Sequence, residues 1–187
     1  LQEVTHTQLL DLLEEWSVYD FIGVGREDGM TKGEYSPLFY KSSKYKVLTF
    51  DTFWLSETPD TISVGWDAAL ERICSYAHLE AYEGGERFWV FNTHFDHRGE
   101  KAREKAANLL IETIAKLNTS QDPVLLMGDF NLTPETPPIR QITAQFNDVY
   151  KASQDPPSQA ATYNGFDESQ FGDKRIDYIF THQCKIK

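Results

Sequence analysis

Cysteine is scarce in this chain of 187 residues, which contains only Cys74 and Cys184. Two cysteines in no metal-like spacing indicate neither a zinc site nor a disulfide framework, and we interpret them as unpaired thiols. The sequence also lacks a signal peptide and any apolar run long enough to cross a bilayer. Because residues 1–4 already resemble the inside of a structural element, the missing leader predicts no particular cellular compartment.

Basic residues are outnumbered: 18 lysines and arginines stand against 29 aspartates and glutamates, for a formal net charge of -11. This balance argues against a broad cationic surface that would bind nucleic acid. A local cationic site or a bound divalent metal can still set the electrostatic potential in its own neighbourhood. With 40% hydrophobic and 13% aromatic residues, the chain has enough apolar material for one core. We therefore expect a single domain over residues 1–187, and a monomer.

Helix and strand signals alternate along the chain. Helical spacing predicts helices over 7–16, with Thr5 or Thr7 as the cap, over 99–118, and in a short segment near 139–146. Strands are predicted at 36–40, 45–50, the second half of 68–81, 87–92, 124–127 and 176–180. The first two strands are expected to be neighbours joined by a polar turn, and a hairpin is expected at Gly84-Gly85. This order predicts an α/β (α+β) fold whose sheets carry helices on their outer faces.

Four segments end a buried-strand pattern with polar side chains of the kind that catalysis uses. They contain Glu3 in LQEV, His94 in NTHFDH, Asp129 and Asn131 in GDFN, and Asp177 in RIDY. Burying an unsatisfied polar or charged group costs several kcal/mol, so such groups need partners or a bound ligand. One shared site would provide partners for all of them.

Each of these residues has a simpler explanation when it is taken alone. Glu3 could cap a helix, and His94 could be a core histidine bonded to a carbonyl oxygen. The acid and amide of GDFN could form an Asx turn before the following proline. Asp177 could pair with Arg175 or Lys174. The occurrence of all four segments in one chain favours the shared site.

In this order, LQEV, NTHFDH, GDFN and RIDYIF resemble the metal-dependent endonuclease/exonuclease/phosphatase superfamily over nearly the whole chain, and GVGREDGMTKGEYSPLFY resembles a bacterial subgroup of it. The resemblance implies a four-layer α/β sandwich of two packed mixed sheets flanked by helices, with the active site at one rim. It also implies a hydrolase that cleaves a phosphodiester or phosphomonoester by direct attack of water. The cofactor would be Mg2+ or Mn2+, and the substrate a nucleic acid, a phospholipid headgroup, or a sugar or inositol phosphate.

The resemblance assigns Glu3 as the metal-binding glutamate. It assigns Asp129 and Asn131 as the acid and amide that orient or deprotonate the attacking water and hold the phosphate. These roles suit the residue types, since magnesium needs only one or two protein carboxylates and a carboxylate within reach of a water can accept its proton. An amide offers both a donor and an acceptor.

The remaining assignments concern histidines. His94 matches a histidine that donates to a phosphate oxygen, Glu34 the acid that supports it, and Asp177 the acid that orients a second histidine near the C-terminus. The family pattern also has an asparagine before its QE motif and a terminal Ser-Asp-His segment, which this sequence lacks. We therefore expect a domain truncated at both ends, which is poorly active or inactive and hydrolyses its substrate far more slowly than a version extended at both ends.

Weaker candidates lie outside these motifs. In the glycine-rich segment 23–34, Arg26, Asp28 and Lys32 fit either a substrate loop or a solvated turn, and the strand-glycine-helix context of a dinucleotide site is absent. Three residues after the first site histidine either line the rim or cap the long helix: Asp96, His97 and Arg103. Four aromatic residues are candidates for cleft walls: Trp54, Trp66, Tyr163 and Phe166. A non-catalytic binding or scaffold domain that retains the fold is the competing function.

Overall fold

The computed structural model of the protein describes residues 1–165, 167, 169 and 172–184. Its elements follow one another as α1 (His6–Glu15), β1 (Asp20–Ile22), β2 (Leu38–Tyr40), β3 (Tyr45–Trp54), β4 (Ile73–Ala81), β5 (Arg87–His94), α2 (Glu100–Leu117), β6 (Val124–Asp129), α3 (Pro137–Thr143), β7 (Asn147–Asp148), α4 (Val149–Ala152) and β8 (Asp177–His182). The predicted α/β sandwich is confirmed. No described helix combines the length and the apolar composition needed to cross a membrane.

The larger sheet has six strands in the order β3-β4-β5-β6-β8-β7. It is mixed, because β5 and β6 run parallel while the other neighbours are antiparallel. In its register, His94 lies opposite Asp129, and Asp129 lies opposite Asp177. The last residue of β5, the last residue of β6 and the first residue of β8 therefore meet at one rim of the sheet.

In the described residues the smaller sheet is the antiparallel pair β1-β2. One face packs on the larger sheet, where Ile22 and Leu38 contact a cluster that includes Leu79 and Val90. The other face is covered by α1, whose Leu9 is buried in a cluster with Phe21 and Phe39 at its margin. The predicted cap is also found, since Thr5 and Gln8 form a capping box.

The prediction that the strands at 36–40 and 45–50 are neighbours is wrong. The turn at 41–44 instead passes the chain from the smaller sheet to the larger one. β3 is ten residues long and pairs with β4 from Tyr45 to Trp54, which makes it an edge strand of the larger sheet. The short β2 pairs with β1.

The fourth layer consists of α2 and α3 on the outer face of the larger sheet. On α2, the buried stripe includes Ala106, Leu110 and Ile114, and it packs against sheet residues such as Phe91 and Leu126. The small side chains near the start of the helix allow its backbone to lie close to the sheet. The predicted helix over 99–118 is confirmed, and the rim at the ends of β5 and β6 stays clear of this layer.

Candidate active site

An open cleft of about 610 Å³ lies at the rim where β5 and β6 end. All six residues that the sequence analysis grouped line this cleft: Glu3, Glu34, His94, Asp129, Asn131 and Asp177. Strand register places three of them, while the others come from the segment before α1, the loop before β2 and the turn after β6. The structure thus brings the six side chains together, and their individual catalytic roles stay predictions.

The turn after β6 fixes the relative position of Asp129 and Asn131. The backbone N–H of Asn131 donates to Asp129 Oδ1 at 2.8 Å, which is the Asx turn considered above. Asn131 adopts a left-handed backbone (φ 50°), and its Nδ2 donates to the carbonyl oxygen of Phe95 at 3.0 Å. The preceding Gly128 lies so close to β5 that a Cβ would meet the carbonyl oxygen of Thr93 at 2.0 Å. The Asx turn is therefore part of the site and not an alternative to it.

His94 is buried at the centre of this group, with 6% of its surface exposed. Its Nε2 lies 3.2 Å from Asn131 Nδ2, 3.6 Å from Asp129 Oδ2 and 3.9 Å from Glu3 Oε1. Because an amide nitrogen can only donate, Nε2 acts as the acceptor in this arrangement. Its predicted donation to a phosphate oxygen would need the proton on Nε2, so that role stays a prediction.

The protonation states of the site follow from burial and neighbouring charge. Burial, followed by the positive charges of Arg72 and Arg26, lowers the pKa of His94 to about 3, so the imidazole is neutral at neutral pH. Burial also raises the pKa of Asp129 to about 6; the Asn131 N–H lowers this pKa, and the negative charges of Asp177 and Glu3 raise it further. The pKa of Asp177 is raised by burial as well.

Glu34 faces the same cleft from the loop before β2. Its Oε2 accepts a hydrogen bond from Arg26 at 2.6 Å, and within the described part of the chain this is the hydrogen bond recorded for its carboxylate. Its predicted support of His94 therefore stays a prediction. Glu3, Glu34 and His94 each offer a ligand atom within 4.8 Å of the others. Two carboxylates beside an imidazole fit a divalent cation, because magnesium and manganese prefer oxygen ligands.

Arg72, which precedes β4, is a cleft residue that the sequence analysis missed. Its Nε donates to Asp96 Oδ1 at 3.3 Å, and its Nη2 lies 2.9 Å from His97 Nδ1. The signal was available, because β4 and β5 were expected to form an antiparallel hairpin. In such a hairpin the start of β4 lies at the same rim as the end of β5, and Cys74 does pair with Thr93.

The weaker polar candidates divide into two groups. Arg26 and His97 line the cleft, whereas Asp28 accepts hydrogen bonds from the backbone of its own turn, at Met30 and Lys32. Asp96 is buried and accepts from the N–H groups of Arg98 and Gly99 just before α2, and Arg103 donates to the Asp96 carbonyl oxygen. His97 therefore lies at the rim, whereas the capping role is not found for Asp96: the N–H groups of the first helical turn, at Lys101 and Ala102, donate to Asp67 instead.

The aromatic candidates divide as well. Tyr163 lines the cleft. Trp54 is buried and its indole N–H donates to the carbonyl oxygen of Arg26 at 2.8 Å, so it holds the glycine-rich loop in place. Trp66 does not line the cleft, and Phe166 lies outside the described residues.

Comparison with known proteins gives concordant matches. A sequence model described as the Endonuclease/Exonuclease/phosphatase family matches residues 1–186. A protein of that family from Bacteroides thetaiotaomicron superposes with a TM-score of 0.94 at 40% identity, over 97% of this chain and 67% of that chain. A mannosyl-6-phosphatase from Bacteroides thetaiotaomicron superposes with a TM-score of 0.93 at 40% identity, over 97% and 69%.

A more distant match extends beyond bacteria. An uncharacterized protein of Acanthamoeba polyphaga mimivirus is 31% identical over 122 residues, which are 64% of this chain and 45% of the viral protein. The match therefore spans less than half of the viral protein, while this chain spans about two thirds of the two bacterial structures.

Proposed function

Because the chain belongs to the endonuclease/exonuclease/phosphatase family, we propose that it hydrolyses a phosphomonoester or phosphodiester by direct attack of water, with Mg2+ or Mn2+ as cofactor. The observation that carries this proposal is the convergence of six acid, amide and imidazole side chains from distant segments in one open cleft. The similarity to a mannosyl-6-phosphatase at 40% identity supports a phosphoester as the substrate.

Glu3 is the residue that we propose as the principal metal ligand. Its side chain is 61% exposed to the cleft, and no hydrogen bond to its carboxylate is found among the described residues. Glu34 and His94 offer further ligand atoms beside it. A bound divalent cation neutralises the charge of the phosphate and stabilises the leaving oxygen.

Asp129 is the residue that we propose as the base. The Asn131 N–H holds Oδ1, which leaves Oδ2 on the side of His94. A carboxylate with a pKa of about 6 accepts a proton from water more readily than an ordinary aspartate and remains largely ionised at pH 7. Asn131 fixes this carboxylate, and the buried neutral imidazole of His94 fixes the Asn131 amide in turn. No covalent intermediate is required.

The test is a phosphatase and phosphodiesterase assay of the purified chain with Mg2+, Mn2+ or EDTA. The substrates are p-nitrophenyl phosphate, bis-p-nitrophenyl phosphate and mannose 6-phosphate. We expect turnover only with metal, and Asp129→Asn to lower kcat by at least about 100-fold because the base is lost. The exposed Asp11→Asn on α1 is the matched control and keeps the rate.

Metal binding is tested separately, by Mn2+ titration followed by electron paramagnetic resonance. Glu3→Gln is expected to weaken Mn2+ binding, while the exposed Glu15→Gln on α1 leaves it unchanged. Hydrolysis that persists in EDTA, or an Asp129→Asn variant with the parent rate, would contradict the proposal.

A further inference from the structure

Two buried arginines line the cleft beside the acidic residues. Arg26 and Arg72 are 8% and 4% exposed, and both also border a narrow recess of the cleft together with His94 and Glu34. Neither guanidinium has all of its nitrogens partnered. Arg26 Nε and Arg72 Nη1 are buried, and no residue in the described part of the chain accepts a hydrogen bond from them.

Unpartnered buried donors on a charged group are unfavourable unless something else accepts from them. The two positive charges also repel each other. Burial is the main cause that lowers the pKa of Arg72, and the positive charge of Arg26 is the next. Both arginines lie in a chain whose formal net charge is -11. Two like charges that face one cleft with donors to spare form a site for an anion.

His97 adds a donor of fixed direction to this pair. Because a guanidinium can only donate, the contact of 2.9 Å between Arg72 Nη2 and His97 Nδ1 makes Nδ1 the acceptor. The ring proton of a neutral His97 is therefore on Nε2. The side chain is 42% exposed and lines the cleft, so this N–H is accessible to a ligand.

Asp96 holds the Arg72 end of this arrangement in place. It is 2% exposed and accepts from Arg72 Nε as well as from the backbone N–H groups of Arg98 and Gly99. Arg103 also leaves its Nε without a described partner, but it does not line the cleft. The combination of burial, spare donors and access to the cleft is therefore found at Arg26 and Arg72.

We infer that Arg26, Arg72 and His97 form an anion subsite that binds the terminal phosphate group of a phosphomonoester. This inference rests on the proposed function and selects one substrate class within it. A phosphomonoester carries close to two negative charges at neutral pH and three terminal oxygens, whereas a diester carries one charge and two such oxygens. Two guanidiniums and an imidazole N–H match the monoester better.

The first experiment uses the parent protein without metal, in EDTA. Inorganic phosphate and dimethyl phosphate are titrated separately, and binding is followed by NMR of the arginine Nε–H signals. We expect phosphate to bind at least about tenfold more tightly than the monoanionic diester. Equal affinities, or no detectable binding of phosphate, would overturn the inference.

The second experiment assigns the subsite to its residues. Arg26→Gln and Arg72→Gln are each expected to weaken phosphate binding about tenfold or more, while the exposed Arg140→Gln on α3 leaves it unchanged. Arg26→Lys and Arg72→Lys, which keep the charge but lose the two-pronged geometry, give intermediate affinities and serve if a glutamine variant does not fold. Phosphate affinities equal to that of Arg140→Gln overturn the inference.

The two proposals fail in different ways. If neither p-nitrophenyl phosphate nor its bis ester is hydrolysed with Mg2+ or Mn2+, the proposed function fails, although the phosphate preference in EDTA still stands. If the bis ester is hydrolysed and the monoester is not, hydrolysis stands and the subsite inference fails. Parent Mn2+ affinity in both glutamine variants supports a subsite separate from Glu3.

Discussion

The chain buries arginines in two regions, and these regions differ in how far the protein supplies hydrogen-bond partners for the guanidinium groups. Arg175, which is 6% exposed, donates to both carboxylate oxygens of Asp148 and lies 4.3 Å from the ring centre of Tyr178. At the cleft, Arg26 and Arg72 are equally buried, yet each retains a nitrogen without a partner among the described residues. Burial alone therefore does not reveal what a buried arginine does.

The difference lies in how far the charge is satisfied by the protein itself. A guanidinium with two parallel hydrogen bonds to a carboxylate has its geometry and its charge matched within the fold. A guanidinium with spare donors at an open cleft is matched only when an anion arrives. We read the first arrangement as structural and the second as a binding site, and each can be tested by substitution.

The largest effect is expected for Arg175→Met. This change removes both hydrogen bonds to Asp148, which is 5% exposed, and leaves its carboxylate buried without a countercharge. The loss of one partner of a buried pair typically costs about 3–5 kcal/mol. Urea unfolding of the metal-free protein measures the loss, and the exposed Arg140→Met provides the baseline. A loss below about 1 kcal/mol would show that Arg175 is not the structural member of the comparison.

The same contrast among acids predicts the next largest effect, that of Asp129→Asn. The pKa of Asp129 is raised to about 6 from 3.8, mainly by burial, so the folded state holds its proton more tightly than the unfolded chain does. The protonated Asp129 carboxyl therefore stabilises the fold in full below pH 3.8, and this contribution is lost as the pH rises through about 6. Without metal at pH 8, the charged carboxylate therefore destabilises the fold, and asparagine removes that charge while keeping an acceptor for the Asn131 N–H.

We expect Asp129→Asn to stabilise the metal-free protein at pH 8 by about 1 kcal/mol, or roughly 2–4 °C in melting temperature, with no gain near pH 4. Asp148→Asn should do the opposite and destabilise the fold, because it breaks the pair with Arg175. Calorimetry at both pH values measures the two effects. Destabilisation of both variants at pH 8 would remove the distinction between cleft and structural acids.

The sequence predicted the acidic part of the site better than the cationic part, for a physical reason. A polar residue at the end of an apolar strand indicates the rim of the sheet. The apolar runs of β5, β6 and β8 also set their register, and this register brings His94, Asp129 and Asp177 together. Arg72 stands at the beginning of a strand, where a charged residue is unremarkable. Its role depends on the antiparallel direction of β4 and on the unpartnered Nη1. The missing partner of Nη1 is visible only in the three-dimensional structure.

The partner of Arg175 was equally hidden. The sequence offered Asp177 as a neighbour, whereas the structure pairs Arg175 with Asp148, 27 residues away. That contact depends on β7 lying beside β8, and β7 is only two residues long. A pair of strand residues has no periodicity to detect. The mistaken pairing of the strands at 36–40 and 45–50 has a related cause, since neighbours in sequence are usually neighbours in a sheet.

A smaller effect on stability is expected for Arg26→Met. Its partner Glu34 has a side chain that is 33% exposed, so water can solvate that carboxylate when the guanidinium is removed. The unpartnered Nε is removed at the same time. We expect a change below about 1 kcal/mol in either direction by urea unfolding, much less than for Arg175→Met. A loss as large as that of Arg175→Met would mean that Arg26 is a structural arginine after all.

The smallest effect concerns the pKa of His94, which is about 3 instead of the ordinary 6.5. Burial is the main cause, and the positive charges of Arg72 and Arg26 come next, so removal of either charge should raise this pKa toward 6.5 by roughly one pH unit or less. NMR titration of metal-free Arg72→Gln and Arg26→Gln measures the shift.

The parent imidazole stays neutral at pH 5. Because the unfolded chain binds this proton from pH 6.5 downward, the stability of the folded protein decreases as the pH falls from 6.5 to about 3. The charges that act most on His94 are those of Arg72, Arg26, His97 and Asp96, and Arg175, which is paired with Asp148, is not one of these four. A shift of equal size in the His94 pKa of Arg175→Gln would show that Arg175 acts on His94 as strongly as the cleft arginines do.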